Sequence, residues 1–233
     1  MSEVPQHPRL SKEWWRQEWR EWRTTLILIA LILSCRSVFV DWYQVPSGSM
    51  QPSIMIGDRI LVNRLAFDLR VPFTTLSLAR TGEPQRGDIV VFWSPDSGER
   101  LVKRLIGLPG DVLEMRGQKL TINGVELEYR YDRDFADAIE YQGRKLTGKV
   151  FSEALPGHAH PVMFLSPEGR GFGPITIPAD SYWMMGDNRD NSRDARWFGP
   201  VPRKLLAGRA ARVIWSLGPD WEWRWARFGE RLP

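Results

Sequence analysis

Ser47 and Ser49 stand two residues apart in the turn-forming run Pro46-Ser47-Gly48-Ser49-Met50-Gln51-Pro52, and Lys103 interrupts the apolar run Leu101-Val102-Lys103-Arg104-Leu105-Ile106. A serine hydroxyl becomes a nucleophile only when a placed base takes its proton. Histidine is the usual base, and the chain has three, His7, His158 and His160. A Ser-His-Asp triad would need His158 or His160 to reach Ser49 from a Pro- and Gly-rich region far downstream. Lysine serves only if burial disfavours its ammonium, because its ordinary pKa of about 10.4 is too high for work near neutrality. On a strand Lys103 shares a face with Leu101 and Leu105, which would desolvate it, while Arg104 points the other way. The residues alone leave two plainer readings open: a Pro/Gly/Ser cluster is turn punctuation, and a strand lysine can guard an edge against aggregation.

Other chemistries fit less well. His158-Ala159-His160 could set two imidazoles on one strand face, but no cysteine lies near and Glu168 is the only close carboxylate, so surface histidines and no metal are expected. Asp187-Asn188-Arg189-Asp190-Asn191-Ser192 invites calcium, yet the third, sixth and twelfth positions from Asp187 are Arg189, Ser192 and Phe198, which breaks the EF-hand pattern. Cys35 is the sole cysteine and lies within the apolar segment from Thr24 to Val40, so an intrachain disulfide and a cysteine nucleophile are excluded. No cofactor is implied.

The elements that would position these residues divide in two. Thr24 to Val40 holds the only long apolar run, Leu26 to Leu33 being unbroken; its 17 residues reach about 25 Å as a helix, a little short of a roughly 30 Å hydrocarbon core. Arg36 would then snorkel to an interface. Trp14, Trp15, Trp19 and Trp22 before it, and Trp42 and Tyr43 after it, are the aromatic belts of such a span. Arg9, Lys12, Arg16, Arg20 and Arg23 precede it and the next basic residue beyond Arg36 is Arg59, so residues 1–23 are expected on the cytoplasmic side, 24–41 as the anchor, and 42–233 exported. A cleaved signal peptide is the competing reading of a basic segment followed by a short apolar core; the Trp-rich leader and far-side aromatics favour a retained anchor.

Beyond the anchor, short β-branched and apolar runs alternate with Gly, Pro and Asp, and Asn123-Gly124 marks a hairpin. The expectation is a mainly β, antiparallel-sheet domain. Residues from about 126 to 173 are more polar and read as an irregular insertion. Mean hydropathy of −0.35 describes a water-soluble remainder. The net charge of +4, carried by 26 Arg and 6 Lys, suits an anionic lipid surface, and no basic stripe points to nucleic acid. The tail Trp221-Glu222-Trp223-Arg224-Trp225 reads as a packed or interfacial edge.

Four segments in order, Pro46 to Pro52, Arg86 to Phe92, Leu101 to Arg104 and Gly186 to Ser192, resemble the serine/lysine signal peptidases, specifically bacterial signal peptidase I, over about Val38 to Trp215. The resemblance implies a membrane-bound serine endopeptidase with Ser49 as nucleophile and Lys103 as general base. It also implies Ser47 in the oxyanion hole, Ser192 orienting the lysine amine, Asp194 and Arg196 bracing that corner, and Asp187 and Arg189 as scaffold. Ala195 and Ser53 depart mildly from the family pattern. The implied substrate is a signal peptide with small residues at −1 and −3; Val45, Ile54 and Val102 match the −1 pocket, and Tyr43, Ile60 and Val91 the −3 pocket. The implied location is the bacterial inner membrane, single-pass, with the catalytic domain on the periplasmic side. The alternative within enzymes is a Ser/Lys relative of narrower duty, such as a processing protease for one pilin or conjugation protein; a silent membrane-tethered β scaffold is favoured only if Lys103 proves exposed or distant from Ser49.

Overall fold

The computed structural model describes residues 12–71, 74, 76–141, 143–218 and 221–232. Residues 1–11, with His7 and Arg9, and the side chains of Lys12, Trp14, Cys35 and Arg36 lie outside the described residues. Helix α1 (Lys12–Phe39) runs directly into β1 (Val40–Gln44). Then follow β2 (Asp58–Asn63), β3 (Asp68–Arg70), β4 (Ser77–Arg80), β5 (Ile89–Trp93), β6 (Arg100–Gly107), β7 (Val112–Arg116), β8 (Lys119–Ile122) and β9 (Val125–Glu126). The chain continues through β10 (Tyr129–Tyr141), β11 (Arg144–Leu155), β12 (His158–Phe164), β13 (Phe172–Thr176), β14 (Ser181–Met185), the short α2 (Ala195–Phe198), β15 (Val201–Pro202) and β16 (Leu206–Ser216).

The protein is mainly β and antiparallel. Its central sheet has the order β1-β2-β16-β5-β6-β14-β15, flanked by sheets β10-β11-β12 and β13-β7-β8-β9 and the pair β3-β4. Fully buried apolar runs cause this arrangement: Val90, Val91 and Phe92 of β5 and Leu105 and Ile106 of β6 are shielded on both faces, which suits strands in the middle of a sheet. The Asn123-Gly124 expectation holds, with both residues at positive φ (52° and 82°) and Ile122 facing Val125 across a two-residue turn.

Residues 126–173 are not irregular. β10 and β11 form a long hairpin whose register shifts between Tyr131 and Arg133 and again between Asp134 and Ala138, and these bulges break the period-two signal that sequence reading depends on. Phe135, Ile139, Val150, Met163 and Leu165 form its own small core, against which Met55 packs.

Among the described residues no helix is long and apolar enough to cross a membrane. Within α1, Leu26, Ile27, Leu28, Ile29, Leu31 and Ile32 are all exposed, so this apolar surface has no partner among the described residues. Trp221, Trp223 and Trp225 of the tail are exposed too, with Trp223 and Trp225 stacked 5.2 Å apart, where a packed edge was one expectation.

Candidate active site

Ser49 sits in a single 3₁₀ turn, Gly48–Met50, between β1 and β2. The turn is fixed by the chain around it. Asn188 N–H donates to the Ser49 carbonyl (3.1 Å), its Nδ2 donates to the Gly48 carbonyl (3.2 Å), and Met50 accepts from Ile54 N–H (2.9 Å). Asn188 is itself held because Asp187 and Arg189 exchange backbone bonds with Met163 of β12. Sequence reading gave Asn188 no role; its signal was only its place inside the Asp187–Ser192 loop.

Lys103 comes from β6. Val90 faces it across the β5 ladder and Leu105 lies two residues on, both fully buried, so the strand face expected to desolvate the amine does so. Lys103 is 3% exposed and Ser49 8%. Lys103 Nζ and Ser49 Oγ are 2.6 Å apart, within a normal hydrogen bond. Burial lowers the Lys103 pKa from 10.5 to about 8, against the opposing pull of Asp194 and Asp187. A neutral amine is therefore a populated state near neutrality. Ser47 Oγ lies 3.4 Å from Ser49 Oγ on the same side of the cleft.

Ser192 Oγ is shielded and turned to the Asp194 carboxylate, whose charged form it favours, and the expected bond from Ser192 to the lysine amine is absent from this arrangement. Gly186 explains how near the pieces come: a β-carbon built there would stand 2.3 Å from Ser192 Oγ and 2.5 Å from the Ser49 carbonyl oxygen. Asp194 caps α2 by accepting from Arg196 N–H and also takes Gly186 N–H (3.0 Å) and the Arg196 guanidinium (2.8 Å). Burial pushes the Asp194 carboxyl up, but Arg196 and Gly186 outweigh it and hold it below the usual range. Asp194 and Arg196 thus brace the corner beside Ser192.

Beneath the dyad lies a buried ionic layer that sequence reading largely missed. Arg104, out of phase with Lys103, points to the opposite face and binds Asp187 through two nitrogens (2.9 and 2.8 Å), with further bonds to Gly87 and Ser53. Arg189 binds Glu153 in the same fork geometry (2.6 and 2.5 Å). His160 faces Glu153 across the β11–β12 ladder and lies between the two pairs, 3.4 Å from Glu153 Oε1 and 3.9 Å from Asp187 Oδ1. It is 2% exposed, which corrects the expectation of a surface histidine. Burial, then Arg104, Arg189 and His158, lower its pKa well below 6.5, so the imidazole is neutral. Among the described residues no three or more of His, Cys, Asp and Glu are grouped so as to hold a metal ion.

The dyad opens into a cleft of about 540 Å³ lined by Tyr43, Val45, Val91 and Val102 together with Ser47, Ser49 and Lys103. Ile54 and Ile60 do not line it. Both are 0% exposed in the core cluster of Val45, Met50 and Val91, so they support the pocket floor and cannot touch an occupant. Two strand edges border the cleft. β1 is the last strand of its sheet, and β14 pairs with β6 only from Arg104 onward, which leaves residues 100–103 of β6 without a neighbour on that side among the described residues.

The signal peptidase, peptidase S26, family model matches residues 17–215. A signal peptidase I of Pseudomonas fluorescens is 33% identical over 207 residues, covering 83% of this chain and 70% of the relative. A signal peptidase I of Aquifex aeolicus is 30% identical over 220 residues, covering 82% and 81%. Among solved structures, a signal peptidase I of Enterococcus faecalis is 30% identical, covers 55% of this chain and 96% of its own, and superposes with a TM-score of 0.33. The chain belongs to the signal peptidase family, peptidase S26. As an enzyme it is a peptidase of the signal peptidase I type.

Proposed function

We propose that the protein is a membrane-bound serine endopeptidase that removes signal peptides from exported preproteins by means of a Ser49/Lys103 dyad. The observation that carries this reading is the 2.6 Å contact between a buried lysine amine and a buried serine hydroxyl at the head of an apolar cleft. Neutral Lys103 takes the Ser49 proton as Oγ attacks the scissile carbonyl. The developing oxyanion is met by the Ser47 hydroxyl and the Ser49 N–H, donors typically worth roughly 3–4 kcal/mol each. The Lys103 ammonium then protonates the departing amine, and in its neutral form it activates the water that hydrolyses the acyl-enzyme. Ser192, Asp194 and Arg196 hold the corner, and Asp187 and Arg189 act as scaffold.

An extended substrate adds as a strand between the free edges of β1 and β6. Val45 and Val102 wall the −1 pocket and Tyr43 and Val91 the −3 pocket, leaving room only for Ala-sized side chains. The exposed apolar surface of α1 supports a membrane anchor over 24–41, with residues 1–23 cytoplasmic and the β-rich remainder exported. Purified protein in detergent should cut a preprotein whose signal peptide ends in Ala-X-Ala after the last Ala of that segment, and Ser49→Ala should not. Failure of folded wild-type protein to cut would refute the reading. Protease added outside right-side-out inner-membrane vesicles should digest the β domain; digestion only from the cytoplasmic face would overturn the topology.

A further inference from the structure

We propose that Arg100 is a specificity-determining residue that favours an acidic side chain in the substrate at −4 or −5, just upstream of the −3 pocket. The proposal rests on the reading of the cleft as the seat of an extended peptide. Arg100 begins β6 and lines the cleft at the end remote from Lys103. Its Cζ lies 4.2 Å from the Tyr43 ring centroid and 5.0 Å from that of Trp93. Tyr43 belongs to β1, and β2, β16 and β5 separate β1 from β6 in the sheet, so the guanidinium reaches across the cleft mouth from one free edge to the other.

Two rings hold this cation without neutralising it. Arg100 is exposed, and among the described residues it forms no ion pair with a carboxylate. Asp41, the nearest candidate on β1, is engaged by the Tyr43 hydroxyl (2.8 Å) and by Arg64 (3.6 Å). Glu99 also lines the cleft, its carboxylate approached by the Ser97 hydroxyl at 3.4 Å. The Tyr43 oxygen engages one donor of the guanidinium and leaves the others available, and fixing the cation in place lowers the entropy cost of using them.

Strand geometry sets the position. Arg100 and Val102 share a face of β6 and stand about 6–7 Å apart along it. With −1 at Val102, the backbone of Arg100 is level with −3, where its guanidinium lies over Tyr43, so the substrate side chains next upstream of −3 come within reach of the guanidinium edge. A carboxylate there pairs with the guanidinium and a lysine is repelled. Exposed pairs of this kind are modest, so the expected ratio of kcat/KM for Glu over Lys is about three- to tenfold at low salt, shrinking as salt screens the pair.

The test uses full-length protein in detergent and fluorogenic Ala-X-Ala peptides carrying Glu, Gln or Lys at −4, and a second set at −5. The Glu-to-Lys ratio of kcat/KM is compared for wild type, Arg100→Gln and Arg100→Glu. It should exceed unity in wild type, approach unity in Arg100→Gln, and invert in Arg100→Glu; a ratio within one variant is insensitive to partial loss of folded protein. Cleavage with the same ratio in all three forms would overturn the role of Arg100 alone. Absence of cleavage of every peptide by wild type would overturn the endopeptidase reading, and the Arg100 proposal with it.

Discussion

Gly186 and Ser192 are packed so closely that a single methyl group at Gly186 would stand 2.3 Å from Ser192 Oγ, with the Ser49 carbonyl 2.5 Å away on its other side. Ser49 is thus positioned by what is missing as well as by what it bonds. Gly186→Ala should cost at least about tenfold in kcat, because the backbone of Ser49 has to yield. Parallel kinetics and thermal melts check this; wild-type kcat in the variant would show that the contact can relax without moving the nucleophile.

Removing either member of the dyad should abolish cleavage while the fold persists. Ser49→Ala and Lys103→Ala are the primary variants, and Lys103→Arg should fail as well because a guanidinium stays protonated. Ser47→Ala should lose about 10²–10³ in rate but retain residual activity. An unchanged kcat in Ser47→Ala would take that hydroxyl out of the oxyanion hole.

The buried position of Lys103 costs stability. Its folded pKa of about 8 lies below the ordinary 10.5, so below pH 8 the folded state must carry a buried ammonium that the unfolded chain holds in water. That cost is fully present below about pH 8 and fades as pH rises towards 10.5. Lys103→Met should therefore stabilise the inactive protein by about 2–3 kcal/mol at pH 7, measured by denaturant unfolding. Destabilisation by that substitution would mean the amine is better compensated than its surroundings imply.

Much of the candidate site was legible in the residues, and the parts that were not have identifiable causes. The strands, the Asn123-Gly124 hairpin and the desolvating face of Lys103 rest on local period and turn chemistry, which one segment carries by itself. The layer of Arg104, Asp187, Glu153, Arg189 and His160 joins β6, β11, β12 and the loop after β14, so no local window contains it. Ile54 and Ile60 matched the family's pocket positions, but both are fully buried behind Val45 and Val91 and do not line the cleft. Within 126–173 only the regular strands escaped the sequence, because bulges offset their alternation.

His160 should make the fold acid-sensitive. Its folded pKa is depressed, so as pH falls below about 6.5 the unfolded chain takes up a proton that the folded state refuses, and stability declines by up to about 1.4 kcal/mol per pH unit. Above about 6.5 there is no such effect. Unfolding midpoints from pH 7.5 to 5 should fall more steeply in wild type than in His160→Gln. Equal slopes would show that the imidazole is not held neutral between Glu153 and Asp187.

The state of Lys103 is read most directly by the pH dependence of kcat/KM on an Ala-X-Ala peptide. A buried lysine base predicts a single ascending limb with an apparent pKa of about 8, well below that of free lysine. A limb near 6.5 that disappears in His158→Gln or His160→Gln would instead assign the base to histidine. That result would contradict the Ser49/Lys103 dyad.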